Sequence, residues 1–155
     1  MSEEVASLVF GEGVRSLQNQ VTALDGLRSR TGLLLSAASL VTSFFSGIAL
    51  GDPRQLDGWG WIATAFFVLV AVISIALLWP RYRWSFTSNP KDLVQDYLDD
   101  PDVSVVRAQR NLAIHMGNAY ADNDKKLKRM YTGFALACGA LVFEVLAWIA
   151  DIVRR

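Results

Sequence analysis

Residues 32–50 run for nineteen positions without a formal charge. As a helix they extend about 28 Å, close to the hydrocarbon thickness of a bilayer. That stretch limits the chain more than any other, because a small soluble domain seldom buries so long an apolar helix. Residues 60–79 and 131–150 have the same character, and the three windows together hold one charged side chain, Glu144. Each is long enough to span as a helix. The averages, 52% hydrophobic residues and a net charge of zero over 155 residues, conceal this segregation. The expected fold class is therefore all-α and integral to a membrane, with three transmembrane helices and a helical layer outside them.

The first span is not a cleavable signal peptide, since its polar leader is 31 residues long and its apolar run exceeds an ordinary h-region. Four segments are expected: an N-terminal helix over 1–31, a transmembrane hairpin over 32–80, a helical segment over 81–130, and a third span with a short tail over 131–155. Val14, Leu17, Val21 and Leu24 step by three and four and form a short apolar seam, with Gln20 outside it. The phase runs on to Thr31, so residues 13–50 read as one nearly continuous helix. Residues 51–58 read as a turn, and Pro80 ends the second span. Asn89-Pro90 reads as a helix start, followed by a short helix through Leu93 and Leu98 that Asp99-Asp100-Pro101-Asp102 breaks. A second seam passes through Val105, Gln109, Leu112, Met116, Ala119 or Tyr120, Asn123, Leu127 and Met130 into the third span. Residues 102–152 then form one helix of about 75 Å, and the two long seams are suited to pack on each other.

Arg15, Arg28 and Arg30 before the first span, Arg81 and Arg83 after the second, and Lys125, Lys126, Lys128 and Arg129 before the third set the orientation. The basic flanks face the cytoplasm, leaving the N-terminus inside and the C-terminus outside. All five tryptophans fall at expected interfaces: Trp59, Trp61 and Trp148 at one, Trp79 and Trp84 at the other.

Catalytic patterns are absent. There is no GxxxxGK, HExxH or GxSxG, and the lone Cys138 and His115 supply neither a metal set nor a triad. No enzyme, metal, cofactor or nucleic-acid polymer is expected. Two constellations remain. Glu144 shares a face of the third span with Gly133, Ala137, Ala140, Ala147 and Asp151. An acid within a span is costly and faces a bundle interior or water. It serves an ion path or a gate in an oligomer, or it is an acid bonded to Ser39 or Ser43, or one drawn toward the outer interface about 10 Å away. Ser36, Ser39, Ser43 and Gly47, with Gly32, form a small, hydroxyl-bearing face on the first span, where another helix or a second copy can approach. The second constellation is the stripe Arg107, Arg110, Asn111, His115 and Asn118, continuing to Asp122 and Lys125 or Lys126. It offers donors and cations to an anionic ligand such as a nucleotide phosphate, or it is the solvated face of an amphipathic helix.

The runs Leu27-Arg28-Ser29-Arg30-Thr31-Gly32-Leu33-Leu34-Leu35, Pro80-Arg81, and Asn118-Ala119-Tyr120 through Lys126-Leu127-Lys128-Arg129-Met130-Tyr131 resemble the transmembrane effectors of Pycsar-type bacterial antiphage systems. More distantly the layout is similar to the SLATT membrane effectors. The usual Asp-x-Lys-Ala-like entry is replaced here by a displaced Asp25 and Arg30-Thr31. The resemblance implies a multi-pass protein of the bacterial inner membrane that forms homo-oligomers in the lipid bilayer, answers a cyclic nucleotide and impairs the membrane. The alternative expectation is a constitutive scaffold or accessory protein that binds a partner through its seams.

Overall fold

The computed structural model describes residues 3–50, 58–80, 84–86 and 104–154, with Ala49 and Leu50 described as backbone only. The turn at 51–57, Arg81, Tyr82 and Arg83, the helix expected over 89–98 and the break at 99–102 lie outside the described residues. The described residues form three helices and no strand: α1, Glu3–Leu50; α2, Gly58–Leu78; and α3, Val105–Val153. All three are long and apolar enough to cross a membrane.

Proline placement agrees with the bounds of these helices. Pro53, Pro80, Pro90 and Pro101 all lie outside these three helices, since a proline within one would remove a ladder bond and clash with the preceding turn. Glycine is tolerated instead. Gly11, Gly13, Gly26, Gly32 and Gly47 all sit inside α1, which starts ten residues before the seam-based expectation. Acidic Glu3 and Glu4 suit its first turn. Gly58, expected in the turn, opens α2. At the start of α3 the Arg107 amide donates to Ser104 Oγ at 3.3 Å, an N-cap.

The chain divides into two compact units, Met1–Asp25 with Arg81–Lys128, and Gly26–Pro80 with Arg129–Arg155. In the first, α1 and α3 pair with Gly13 against Met116, and Gln20 Nε2 donates to the Tyr120 carbonyl at 3.0 Å. Leu17, Leu24 and Leu127 are buried. The seam on α1 is rotated from its expected position: Val14 is 45% exposed, whereas Gln20 is buried. Residues 17, 20 and 24 share a face as well as 17, 21 and 24 do, and the bond to Tyr120 settles which polar side chain turns inward. Asn123, fully buried, holds the segment 84–86 at two points. Its Nδ2 donates to the Ser85 carbonyl at 3.1 Å, and its Oδ1 accepts the Ser85 amide at 3.4 Å. Trp84 stacks on Phe86 there, with Lys126 Nζ 5.9 Å from the indole centroid.

In the second unit α1 and α3 run parallel, and α2 runs antiparallel to both. Ala38, Val70 and Ala140 form one core layer, and Ala63, Ala147 and Trp148 form the next. Leu77 reaches Gly133 at one end of α2, and Gly60 reaches Asp151 at the other. Small residues at these contacts let the backbones approach, as helix association in lipid requires. On α3, Met130, Ala137, Glu144 and Asp151 are buried at seven-residue intervals, the repeat of helices wound about each other. Large apolar side chains point the other way: Leu33, Leu40, Phe44, Ile62, Val72, Leu136, Val142 and Ile149 are exposed, while Thr31, Ser74, Glu144 and Asp151 are not. Polar inside and apolar outside is the arrangement of a helix bundle whose solvent is lipid.

Candidate functional site

The polar core of the second unit centres on Glu144. Its side chain is wholly buried, and Thr42 Oγ1 on α1 donates to its Oε1 at 2.5 Å. Its Oε2 is buried without a hydrogen-bond partner, and so is Trp148 Nε1 one turn along the same helix. Trp148 is 1% exposed and stacks on Phe45 of α1 with centroids 6.3 Å apart. It is therefore a core residue and not the interfacial anchor its sequence position suggested. Packing on Phe45 and Ala63 buries it where the end of a span would have left it in the headgroup layer. Trp61 and Trp79, each 64% exposed, keep the expected outward position.

Asp151, one heptad beyond Glu144, has a different task. It is fully buried, and its Oδ1 accepts the Gly60 amide at 3.1 Å. Gly60 is the third residue of α2, so its N–H has no partner in its own helix and its end of the dipole favours a carboxylate. Asp151 thus caps α2 from another helix. Glu144 caps nothing. It forms a polar link between α1 and α3 within apolar surroundings, and residues 32–48 and 58–79, which supply the other two helices, contain no ionisable side chain. One carboxyl oxygen is engaged and the other is not. The residues around it offer neither a nucleophile with its base nor a metal set; among the described residues no three His, Cys, Asp or Glu side chains cluster.

The partner on α1 differs from the expected Ser39 or Ser43. Ser39 is half-buried and donates to its own helix at the Leu35 carbonyl, 2.9 Å away; Ser43 is exposed. Ser36 is likewise exposed and donates to the Gly32 carbonyl at 3.1 Å, and Gly47 has nothing near its Cβ position. The inward face of α1 runs through Leu27, Thr31, Ala38, Thr42 and Phe45 instead. A helix turns about 100° per residue, so Ser39 and Ser43 lie one residue's rotation from that line. The signal was present in the sequence: Leu17 and Leu24 continue in steps of seven to Thr31, Ala38 and Phe45, which aims Thr42, four residues after Ala38, inward. The Ser36–Ser43–Gly47 face does not pack within the described residues of this chain.

On α3 outside the spans, Arg110, His115 and Asn118 are exposed, as is Arg107, and Asn111 is half-buried. No described acid ion-pairs with Arg107 or Arg110. Further along, Lys126 Nζ meets Asp122 Oδ2 at 2.7 Å and Lys128 Nζ meets Asp124 Oδ2 at 2.8 Å. The Lys126 hydrogen bond and charge hold the Asp122 carboxyl below the ordinary carboxylate range, and the Asp124 hydrogen bond and charge raise Lys128. Arg107 and Arg110 stand at one end of the stripe, and at the other Lys126 is paired with Asp122. No family model, curated protein or solved structure matches this chain.

Proposed function

We propose that the chain is a membrane effector. A cytoplasmic signal is received on the extramembrane part of α3, and the helices in the bilayer rearrange to impair the membrane. The observation that carries this reading is the Thr42–Glu144 bond. It joins α1 to α3 at a buried point, and α1 and α3 are the two helices that each continue unbroken from one unit into the other. A single interhelical polar bond in lipid contributes about 0.6 kcal/mol, at most about 1.7, so modest differential binding of a ligand suffices to shift it.

The ligand class is anionic. Arg107 and Arg110 supply planar, permanently charged donors, and Asn111, His115 and Asn118 add further hydrogen-bonding groups on the same helix. A cyclic nucleotide fits that chemistry and agrees with the resemblance to Pycsar-type effectors. The unpacked Ser36–Ser43–Gly47 face, with half-buried Ser39 at its edge, is the surface through which copies associate. The protein then sits in the bacterial inner membrane, N-terminus in the cytoplasm and C-terminus outside. Dye release from liposomes containing the full chain, measured with and without cyclic nucleotides, tests the reading. Release from wild type and its loss in Arg107→Ala/Arg110→Ala support it. No release, with equal and negligible nucleotide binding by both proteins, refutes it.

A scaffold reading has its own support. Val5, Leu8 and Val9, near the N-terminus of α1 and far from its apolar window, are 45%, 69% and 49% exposed. An apolar strip outside the bilayer fits a partner helix. A stable partner that co-purifies with wild type and is lost on Leu8→Glu, without any permeabilising activity, favours the scaffold.

A further inference from the structure

In the first unit α1 and α3 meet along one seam, through Gly13, Leu17, Gln20 and Leu24 on α1 and Met116, Asn123 and Leu127 on α3. Their backs are bare. At about 100° per residue, Glu4, Leu8, Gly11, Arg15 and Gln18 lie on the side of α1 opposite the seam, in steps of four and three, and all are exposed. Arg107, Arg110, Ile114, Gly117 and Ala121 do the same on α3. That is the spacing of a helix laid along another helix, and Leu8 and Ile114 stand 69% and 54% exposed within it. The two strips differ in charge. From residue 3 to 14, α1 carries Glu3, Glu4 and Glu12 and no base; from 105 to 121, α3 carries Arg107 and Arg110 and no acid. Among the described residues Glu3, Glu4, Arg107 and Arg110 form no ion pair.

Gly13 packs on Met116, so residues 103 apart in sequence stand at one height in this unit. Copies inserted alike in one bilayer hold equal residues at equal heights. Glu4 of one copy is then level with Arg107 of another, Gly11 with Ile114, and Gln18 with Ala121, a match that repeats every seven residues. It sets a carboxylate against a guanidinium and the bulky Ile114 against Gly11, where an added Cβ would meet nothing within 4 Å. Within a single chain the same residues are level too, but the bodies of the two helices lie between them. We infer that the outer face of α1 in one copy docks on the outer face of α3 in a second copy. A second copy is the occupant because one chain carries both charges at matching heights. The two strips lie on opposite sides of the helix pair, so the contact is heterologous, the kind from which rings are built. It requires only that copies share a bilayer, and it stands apart from the effector reading and from the Ser36–Ser43–Gly47 face.

Disulfide cross-linking tests it. Gly11→Cys and Ile114→Cys are placed in separate full-length chains, each also carrying Cys138→Ser to remove the native thiol, with one chain tagged and the two co-expressed. Oxidation of isolated membranes is expected to join one chain of each kind in preference to two of the same kind. No nucleotide is added, since an anion on Arg107 would compete with Glu4. Gly11→Cys paired with Ala121→Cys, about 10 Å further along the helix, should give little product. Glu4→Arg in the Gly11→Cys chain should lower the mixed product about fivefold. Arg107→Glu in the other chain should then restore it, which separates a lost contact from a lost fold. Absence of the mixed product, equal product with Ala121→Cys, or a yield indifferent to Glu4→Arg overturns the assignment. So does a cross-link to a different polypeptide in place of the second copy.

Discussion

A double-mutant cycle on Thr42 and Glu144 isolates the polar bond that joins α1 to α3 in the spanning unit. Thr42→Val is close to isosteric and removes only the hydroxyl. In the wild-type background it deprives Glu144 Oε1 of its donor, and Oε2 already has no partner. The expected loss is about 0.6–1.7 kcal/mol, the range of interhelical bonds in lipid. Glu144→Leu alone has a less obvious sign. It removes the bond, but it also removes a desolvated carboxyl with one unsatisfied oxygen, and replacing buried polar groups by apolar ones is often neutral or stabilising. Thr42→Val combined with Glu144→Leu is therefore expected to cost nothing beyond the effect of Glu144→Leu itself. The coupling energy, obtained from unfolding titrations in mixed micelles, should equal the single-mutant loss of Thr42→Val. A coupling below about 0.3 kcal/mol, the ordinary error of additivity, would show that the contact carries no energy, and the gating role assigned to it would fall. Glu144→Gln, which preserves an acceptor for Thr42, should retain most of the coupling.

Asn123→Ala removes both bonds to the Ser85 backbone and leaves those groups to find other partners; a loss of about 1–3 kcal/mol in the first unit is expected. Faster amide exchange at Ser85 reports it directly, and unchanged exchange would refute the clamp. A Cβ at Gly133 would stand 3.2 Å from Leu77 Cδ2, so Gly133→Ala needs only a small shift of Leu77. Gly133→Val should cost about 1–3 kcal/mol by overpacking, and Leu77→Ala should recover part of that loss in the same micelle titration. The extramembrane lysine–aspartate pairs set a pH window. The Asp122 carboxyl titrates lower in the folded helix, so its contribution is complete above the ordinary value of 3.8 and is lost as pH falls through the lower folded value. Lys128 is raised, so its contribution is complete below 10.5 and is lost as pH rises through the higher folded value. Helicity around residues 122–128, followed by amide exchange or circular dichroism, should decline at both extremes. Asp122→Asn should remove the acid-side step, and added salt should shrink both steps because the pairs are surface pairs.

Charge segregation and proline placement were enough to determine three long helices. Stretches without charge must leave water, and a helix satisfies its own backbone there; Pro53, Pro80, Pro90 and Pro101 then bound where helices can run. The buried face of α3 was also legible, because Ala137, Ala140, Glu144, Ala147 and Asp151 keep one periodicity and all are buried. The face of α1 was legible only by extending the Leu17–Leu24 spacing, not from hydropathy or residue size. Its small residues, Ser36, Ser43 and Gly47, stand out in the sequence, yet they point away from the chain's own core, and Ala38 and Thr42 meet α3. On an apolar helix every face is compatible with lipid, so hydropathy cannot select the one that packs. The same limit applied to Trp148, whose burial depends on Phe45 and Ala63 lying beside it, and to Asp151, whose capping role exists only because α2 begins next to it. Periodicity within one helix gives the spacing of a face, whereas which neighbour meets that face is fixed only when all three helices pack together.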